Sequence, residues 1–245
     1  MKMIWILPMA GKGVRTNSLG KFKPFIEVNG KKIIEWFLIG IKNKIKKNDT
    51  IFLITTIEFE KKYNFQKKIK IIFKKNKIKT KNLIFKFIDH TPNGPALTIN
   101  SIRNFLRNTK TTCIVINPDQ FIDFDLPSRI NQNNLYIPLY FNNHGNSSYV
   151  KINKKGNIVE IKEKKLISNY ASSGVYIFAS STLLKRVLSL INDIKFKKEI
   201  NMSDLINLFI KKNNSKVNPI STLIKYDLGN IKNINNFSIK DIKVI

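Results

Sequence analysis

Short apolar runs that alternate with stretches of helical period are the strongest constraint this sequence places on its own folding. Met3-Ile4-Trp5-Ile6-Leu7 reads as a buried strand, and residues 31–46 then put Ile34, Leu38, Ile41 and Ile45 on one face of a helix. Ile51-Phe52-Leu53-Ile54 returns to strand, residues 58–70 to a polar helix, Leu83–Ile88 to strand, residues 96–107 to helix and Cys113–Ile116 to strand. Strands with no polar face, separated by crossover helices, predict a parallel sheet covered by helices on both sides. The second half is richer in strands, at Leu135–Phe141, Ser148–Ile152, Ile158–Ile161 and Val175–Phe178. Helices near 180–192 and 202–212, a strand near 222–226 and a short last helix complete it. No repeat and no linker-like composition divides the chain, which predicts one domain over residues 1–245.

Charge narrows the partners less than its size suggests. Lys and Arg number 44 against 16 Asp and Glu, a formal net charge of +28, which ordinarily points to nucleic acid or an anionic membrane. Only five of the 44 are Arg (Arg15, Arg103, Arg107, Arg129 and Arg186), which leaves 39 Lys in a chain also crowded with Ile and Asn. Those three residue types share AT-rich codons, and a chain so poor in Arg offers few bidentate forks for reading bases. Nucleic acid is therefore not an expected partner. The stretch Lys67–Lys81, with eight Lys and no acid, reads as a solvated helix and loop. One Cys excludes an intrachain disulfide, and Cys113 in its apolar strand reads as an inert core thiol. Two His, His90 and His144, are too few for a Cys/His zinc cage, so a bound metal would be hard and held by oxygen. No apolar run approaches the ~20 residues of a membrane span, and the N-terminal run is too short for a signal sequence; the expected location is cytoplasmic.

The most informative segment follows the first strand: Pro8-Met9-Ala10-Gly11-Lys12-Gly13-Val14-Arg15, then Lys23-Pro24. A Gly-rich turn at a strand end exposes backbone N–H groups to phosphate, and the neighbouring cations serve the same anion. The turn is neither a Walker loop nor a complete dinucleotide fingerprint. Extended through Phe25-Ile26-Glu27-Val28-Asn29-Gly30-Lys31-Lys32-Ile33-Ile34-Glu35-Trp36, it resembles the signature of the sugar-1-phosphate nucleotidyltransferases, also called nucleoside-diphosphate-sugar pyrophosphorylases. The resemblance implies a Rossmann-like three-layer α/β/α fold with a mixed, mostly parallel central sheet. It implies that Met9, Ala10, Gly11, Lys12 and Gly13 wrap a nucleoside triphosphate, that Arg15 holds its phosphates and that Lys23 contacts the reacting phosphates.

Further matches arrive in family order. Asn117-Pro118-Asp119-Gln120 places a carboxylate just past a buried strand, where an open α/β sheet keeps its ligands, although Asp there is as often a turn residue. The segment is similar to an Asp-Gln variant in a capsule-biosynthesis branch of the family, whose Asp is a metal ligand. Asp123 and Asp125 read as structural neighbours. Glu163-Lys164 resembles the family's Glu-Lys motif, with Lys165 where Pro is usual, and implies that Lys164 binds the phosphate of the sugar. Residues 167–178 resemble the strand whose Gly, here Gly174, lines the sugar pocket. Asp227-Leu228-Gly229-Asn230 resembles an Asp-x-Gly-Thr element whose Asp is the second metal ligand; Asn230 replaces Thr and caps a helix equally well. His90 to Ala96 corresponds to the loop that approaches the base, which carries Gly94 over as a nucleotide-binding residue and leaves the base open at Pro95.

The implied reaction joins a nucleoside triphosphate to a phosphorylated small-molecule acceptor, with Mg²⁺ held between Asp119 and Asp227. The acceptor phosphate is already an anion, so the chain's lack of plausible His, Ser or Cys catalysts is no obstacle. A cytidylyltransferase for a non-sugar phosphoester such as phosphocholine, a glycosyltransferase and a non-catalytic nucleotide-binding subunit remain as alternatives, and the oligomeric state stays open.

Overall fold

The computed structural model describes residues 2–13, 19, 22–194, 198–213 and 216–238. Strand β1 (Met3–Pro8) leads through the Gly-rich turn and a 3-10 turn at Lys23–Phe25 to the short β2 (Glu27–Val28) and β3 (Lys31–Lys32) hairpin. Helix α1 (Ile33–Ile41), β4 (Thr50–Thr56), α2 (Ile57–Tyr63), α3 (Phe65–Lys75), β5 (Asn82–Ile88), α4 (Pro95–Asn100) and β6 (Thr112–Ile116) continue the α/β series. Strands β6, β1, β4 and β5 lie side by side and parallel.

Each of these strands alternates its side chains between two cores. Trp5, Leu7, Ile51, Leu53, Ile114 and Ile116 face α1 and α3, while Ile6, Phe52, Ile54, Cys113 and Val115 face the opposite layer. That layer holds α4, α5 (Ser181–Leu188) and α6 (Met202–Asn213). Apolar side chains at both faces explain why these strands show no polar alternation in sequence. Cys113 is fully buried, and burial pushes its thiol up to about 12, the inert core thiol expected.

The second half adds antiparallel strands. They are β7 (Gln120–Phe124), β8 (Leu135–Phe141), β9 (Ser148–Ile152), β10 (Ile158–Glu163), β11 (Tyr170–Ser172), β12 (Val175–Phe178) and β13 (Val217–Asp227), before the last helix α7 (Ile231–Asn236). Strand β12 lies antiparallel between β6 and β8, while β11, on the same edge of β8, joins β9 and then β10. The register along β8 shifts across Ser173 and Gly174, and Gly174, at φ +78°, makes that step. Strand β13 forks: residues 217–221 run parallel to β8, and residues 222–227 run antiparallel to β7.

Several elements depart from the expected boundaries. The expected helix over 58–70 is two helices, because Asn64 adopts a left-handed conformation (φ 50°) that ends α2 and starts α3. The expected helix over 96–107 stops at Asn100 and resumes as a 3-10 turn at Arg103–Phe105. The strand expected near 222–226 extends back to Val217, β7 was not anticipated, and the strand implied over 167–178 is two, β11 and β12, parted at Ser173 and Gly174. On α3, Phe65, Ile69, Ile72 and Phe73 are buried, so the lysines of this basic stretch line the helix's outer face. No helix among the described residues is long and apolar enough to cross a membrane.

Candidate active site

The carboxyl ends of β1 and β6 open into a cavity of about 510 Å³. Around it stand Met9, Gly11, Lys12 and Gly13 from the first turn, Lys23, then Asp119 beyond β6, Glu163 and Lys164 at the end of β10, Gly174, and Asp227 at the end of β13. The candidate residues are thus gathered from segments more than 200 positions apart. Ala10 is buried and lies outside the cavity lining. Arg15 lies outside the described residues.

Lys23 is placed by its aromatic neighbours. Phe22 and Phe25 are buried, and Phe22 packs against Phe59, Tyr63 and Phe65 with ring centroids 4.4, 5.4 and 6.0 Å away. The short turn between them projects the Lys23 ammonium to 2.6 Å from Asp119 Oδ2. Asp119 is held in turn by the β7–β13 ladder: Asp227 pairs with Gln120, and the Leu228 N–H donates to the Asp119 carbonyl at 2.9 Å. The ladder therefore carries one carboxylate to the other.

Their meeting point is Gly229. A Cβ built there would lie 2.7 Å from Asp227 Oδ1, 3.1 Å from Asp119 Oδ2 and 3.5 Å from Lys23 Nζ. Asp227 is fixed on both oxygens, since Oδ1 accepts the Gly229 N–H at 2.8 Å and Oδ2 accepts Asn233 Nδ2 at 2.7 Å. Asn230 caps α7 by accepting the Asn233 N–H at 2.9 Å, the capping role expected of it. Burial by itself would raise the Asp119 carboxyl; the Lys23 charge, the Lys23 hydrogen bond and Lys225 outweigh it and hold the group below the usual carboxylate range. Asp119 is therefore an anion at neutral pH.

The far wall is polar. Glu163 Oε2 accepts hydroxyl hydrogen bonds from Ser148 and, at 3.1 Å, from Ser203. Tyr176 is buried, which pushes its phenol up to about 12 against the opposing effect of the Ser172 and Ser148 side chains. Lys164 follows the strand in a left-handed conformation, φ 51°, with its N–H donating to the Ser147 carbonyl at 2.9 Å. Gly174 sits where a Cβ would come 3.1 Å from Asn117 Nδ2, and its carbonyl accepts the Asn117 N–H at 3.1 Å.

Gly94 does not line the cavity. Its φ is +109°, and a Cβ there would meet the Ile200 carbonyl at 2.3 Å, so Gly is required by the close approach of residues 198–201 to the start of α4. Asp123 pairs with Lys44, at the end of α1, and has the structural place expected of it. Sequence reasoning missed Ser148, Tyr176, Ser203 and Lys225. Ser148, Tyr176 and Ser203 carried no signal, whereas the two-residue spacing of Lys225 and Asp227 on one strand was available.

Cations and carboxylates gather beside a Gly-rich turn at the carboxyl edge of a parallel sheet, an arrangement suited to phosphorylated ligands. The chain belongs to the nucleotidyl transferase family, whose model matches residues 9–243. Solved structures share the fold. A nucleoside-diphosphate-sugar pyrophosphorylase from Vibrio cholerae superposes with a TM-score of 0.74 at 17% identity, over 95% of this chain and 98% of that one. An inositol-1-phosphate CTP transferase from T. maritima gives 0.70 at 14% identity, over 98% and 93%. A UTP-bound UGPase from Acinetobacter baumannii gives 0.69 at 17% identity, over 99% and 95%. No curated protein matches the chain by sequence.

Proposed function

We propose that the protein is a Mg²⁺-dependent nucleotidyltransferase that couples a nucleoside triphosphate to a sugar 1-phosphate, giving a nucleoside-diphosphate sugar and pyrophosphate. The observation that carries this reading is the convergence of Lys23, Asp119 and Asp227 on Gly229, inside a cavity with the Gly-rich turn and the Glu163–Lys164 wall on its lining. An oxygen of the acceptor phosphate attacks the α-phosphorus, the bond from that phosphorus to the oxygen bridging the β-phosphate breaks, and pyrophosphate leaves with the electron pair. The nucleophile is anionic at neutral pH, so the protein supplies positioning and charge cancellation in place of a general base.

The Gly11–Gly13 backbone and Lys12 receive the triphosphate, with Arg15 assigned to the same anion by its motif. Lys23 stands against the negative charge on the equatorial oxygens of the five-coordinate α-phosphorus, and Lys164 receives the acceptor. The donor set of Asp119 and Asp227 is all oxygen and faces the cavity, which fits a hard cation. No cluster of three His, Cys, Asp or Glu among the described residues is arranged to hold a metal, so substrate phosphates and water would complete the coordination, as Mg²⁺ tolerates. Mg²⁺ held by these two carboxylates would offset the triphosphate charge and orient the α-phosphate.

The wall around Glu163 favours a polyhydroxylated acceptor. It presents Asn146, Ser147, Ser148, Ser172 and Glu163, hydrogen-bonding groups suited to ring hydroxyls. A quaternary ammonium such as choline needs aromatic faces, and of the two rings beside this wall Tyr176 is buried and Tyr140 already has the Lys225 ammonium over it. The inositol-1-phosphate CTP transferase of the same fold supports a cyclic polyol phosphate as the second acceptor class. The Asp119-Gln120 pair supports use of the product in capsule-type polysaccharide assembly, and the nucleotide substrate supports a cytoplasmic site of action.

The test is pyrophosphate release with Mg²⁺ for each common nucleoside triphosphate against sugar 1-phosphates, inositol 1-phosphate and phosphocholine, with Asp119→Ala as control. Release that needs one nucleotide, one acceptor and Asp119 is expected. Transfer of sugar without pyrophosphate, or silence from a folded protein across the panel, would overturn the reading.

A further inference from the structure

Three lysines outside the Gly-rich turn line the cavity, and two of them, Lys23 and Lys164, belong to recognisable motifs. The third is Lys225. It precedes Asp227 by two positions on β13, so the period-2 alternation of a strand sends both side chains to one face, and both line the cavity. Its ammonium lies 4.8 Å from the centroid of the Tyr140 ring. Tyr140 in turn is tied to the acceptor wall: its hydroxyl lies 2.8 Å from Ser147 Oγ and accepts Asn142 Nδ2 at 2.9 Å. The Ser147 carbonyl holds the Lys164 N–H at 2.9 Å. Lys225 therefore connects the carboxylate of β13, Asp227, to the segment that positions Lys164.

Its partners set it apart from a structural lysine. Lys44 is paired with Asp123, but among the described residues Lys225 makes no ion pair and no hydrogen bond through Nζ. A half-buried ammonium with three uncommitted donors, held over an aromatic face, is suited to phosphate oxygens. The Gly-rich turn serves the nucleotide, so the phosphate nearest Tyr140 and Ser147 is that of the acceptor.

We propose that Lys225, steered by Tyr140, binds the acceptor phosphate jointly with Lys164 and holds it beside the Asp119–Asp227 centre. This rests on the nucleotidyl-transfer reading and adds a binding residue that no motif marks.

The experiment compares wild type, Lys225→Met and Lys225→Arg in two measurements. One is steady-state pyrophosphate release over the same nucleotide and acceptor panel; the other is calorimetric titration of inorganic phosphate with Mg²⁺ present. Lys225→Met should raise the acceptor KM about ten- to a hundredfold, the span expected for one charge-assisted hydrogen bond, with the nucleotide KM changed less than about twofold. Lys225→Arg should recover most of that loss, phosphate affinity should fall in Lys225→Met by a similar factor, and thermal midpoints should coincide. An unchanged acceptor KM, or equal rises in both KM values, would overturn the proposal. Wild type that releases no pyrophosphate with any acceptor would refute nucleotidyl transfer itself. The phosphate titration then decides alone: no binding by wild type, or equal binding by wild type and Lys225→Met, refutes the role of Lys225.

Discussion

Replacing Gly229 with Ala places a methyl group at the point where the charges of the site meet. The new carbon would stand 2.7 Å from Asp227 Oδ1 and 3.1 Å from Asp119 Oδ2, and the first separation is too short to persist. Asp227 has little freedom to yield, because the Gly229 N–H and Asn233 Nδ2 hold its two oxygens at 2.8 and 2.7 Å. Breaking one such hydrogen bond to a charged group costs about 1.5–3 kcal/mol, which for a chain of this size lowers the melting temperature by roughly 3–12 °C. A carboxylate displaced by up to an ångström costs on the order of 100-fold in rate. Thermal melts and pyrophosphate release over a Mg²⁺ titration should therefore show a less stable protein, a kcat about 100-fold lower and a raised Mg²⁺ requirement. Wild-type kcat and Mg²⁺ dependence in Gly229→Ala would refute the view that Asp119, Asp227 and Lys23 act at one centre.

Gly11→Ala makes the opposite case, since nothing lies within 4 Å of its Cβ. It should fold as stably as wild type or gain about 0.4–1 kcal/mol from a less flexible unfolded chain, while the nucleotide KM rises several-fold as the methyl group enters the phosphate space; an unchanged KM would remove Gly11 from the nucleotide site. Gly94→Ala should behave as a folding variant, losing about 2–5 kcal/mol from the left-handed strain and the 2.3 Å approach to Ile200, and a wild-type melt would contradict that placement. Burial alone would raise the Glu35 carboxyl, but the Lys32 N–H at 3.0 Å and the Lys75 ammonium at 3.0 Å prevail and hold it below its ordinary value. A depressed folded pKa contributes stability above the ordinary carboxylate range, and that stability is lost as pH falls through the folded value. Glu35→Gln should therefore flatten the fall in melting temperature below about pH 4.5; parallel curves would refute the assignment.

Much of this architecture is readable from residue pattern, and the unread parts have physical causes. Trp5, Ile51 and Ile114 announce their strands because both faces of the sheet are dry. Residues 217–221 do not, since Asn218, Pro219 and Ser221 give neither apolar alternation nor a β-rich run, and only pairing with β8 makes them a strand. The helix break at Asn64 depends on one residue's left-handed backbone, which leaves no trace in a hydrophobic period. In the site, the motif residues Gly11, Lys23, Asp119, Glu163, Lys164 and Asp227 are found together in one cavity. The Ser148–Glu163–Ser203 contacts join three separate elements, and no linear spacing encodes a meeting of that kind. Gly94, expected beside the nucleotide base, carries a second constraint that residue type alone did not reveal, the close approach of its backbone to Ile200.

The fork in β13 ties the last strand of the chain to two strands made much earlier. Strands β7 and β8, the partners of β13, leave the ribosome about 90 residues before it, and a contact of that separation closes late in folding. The turn at Gly11, Lys23 and Asp119 all precede β13 in the chain, so a nascent protein holds the greater part of its nucleotide site while Asp227 and Lys225 are still unmade. Docking of this one strand supplies the second carboxylate and the bridge to the acceptor wall in a single event. Under the proposed reading, a chain in which this strand has not docked lacks both Asp227 and Lys225 at its site.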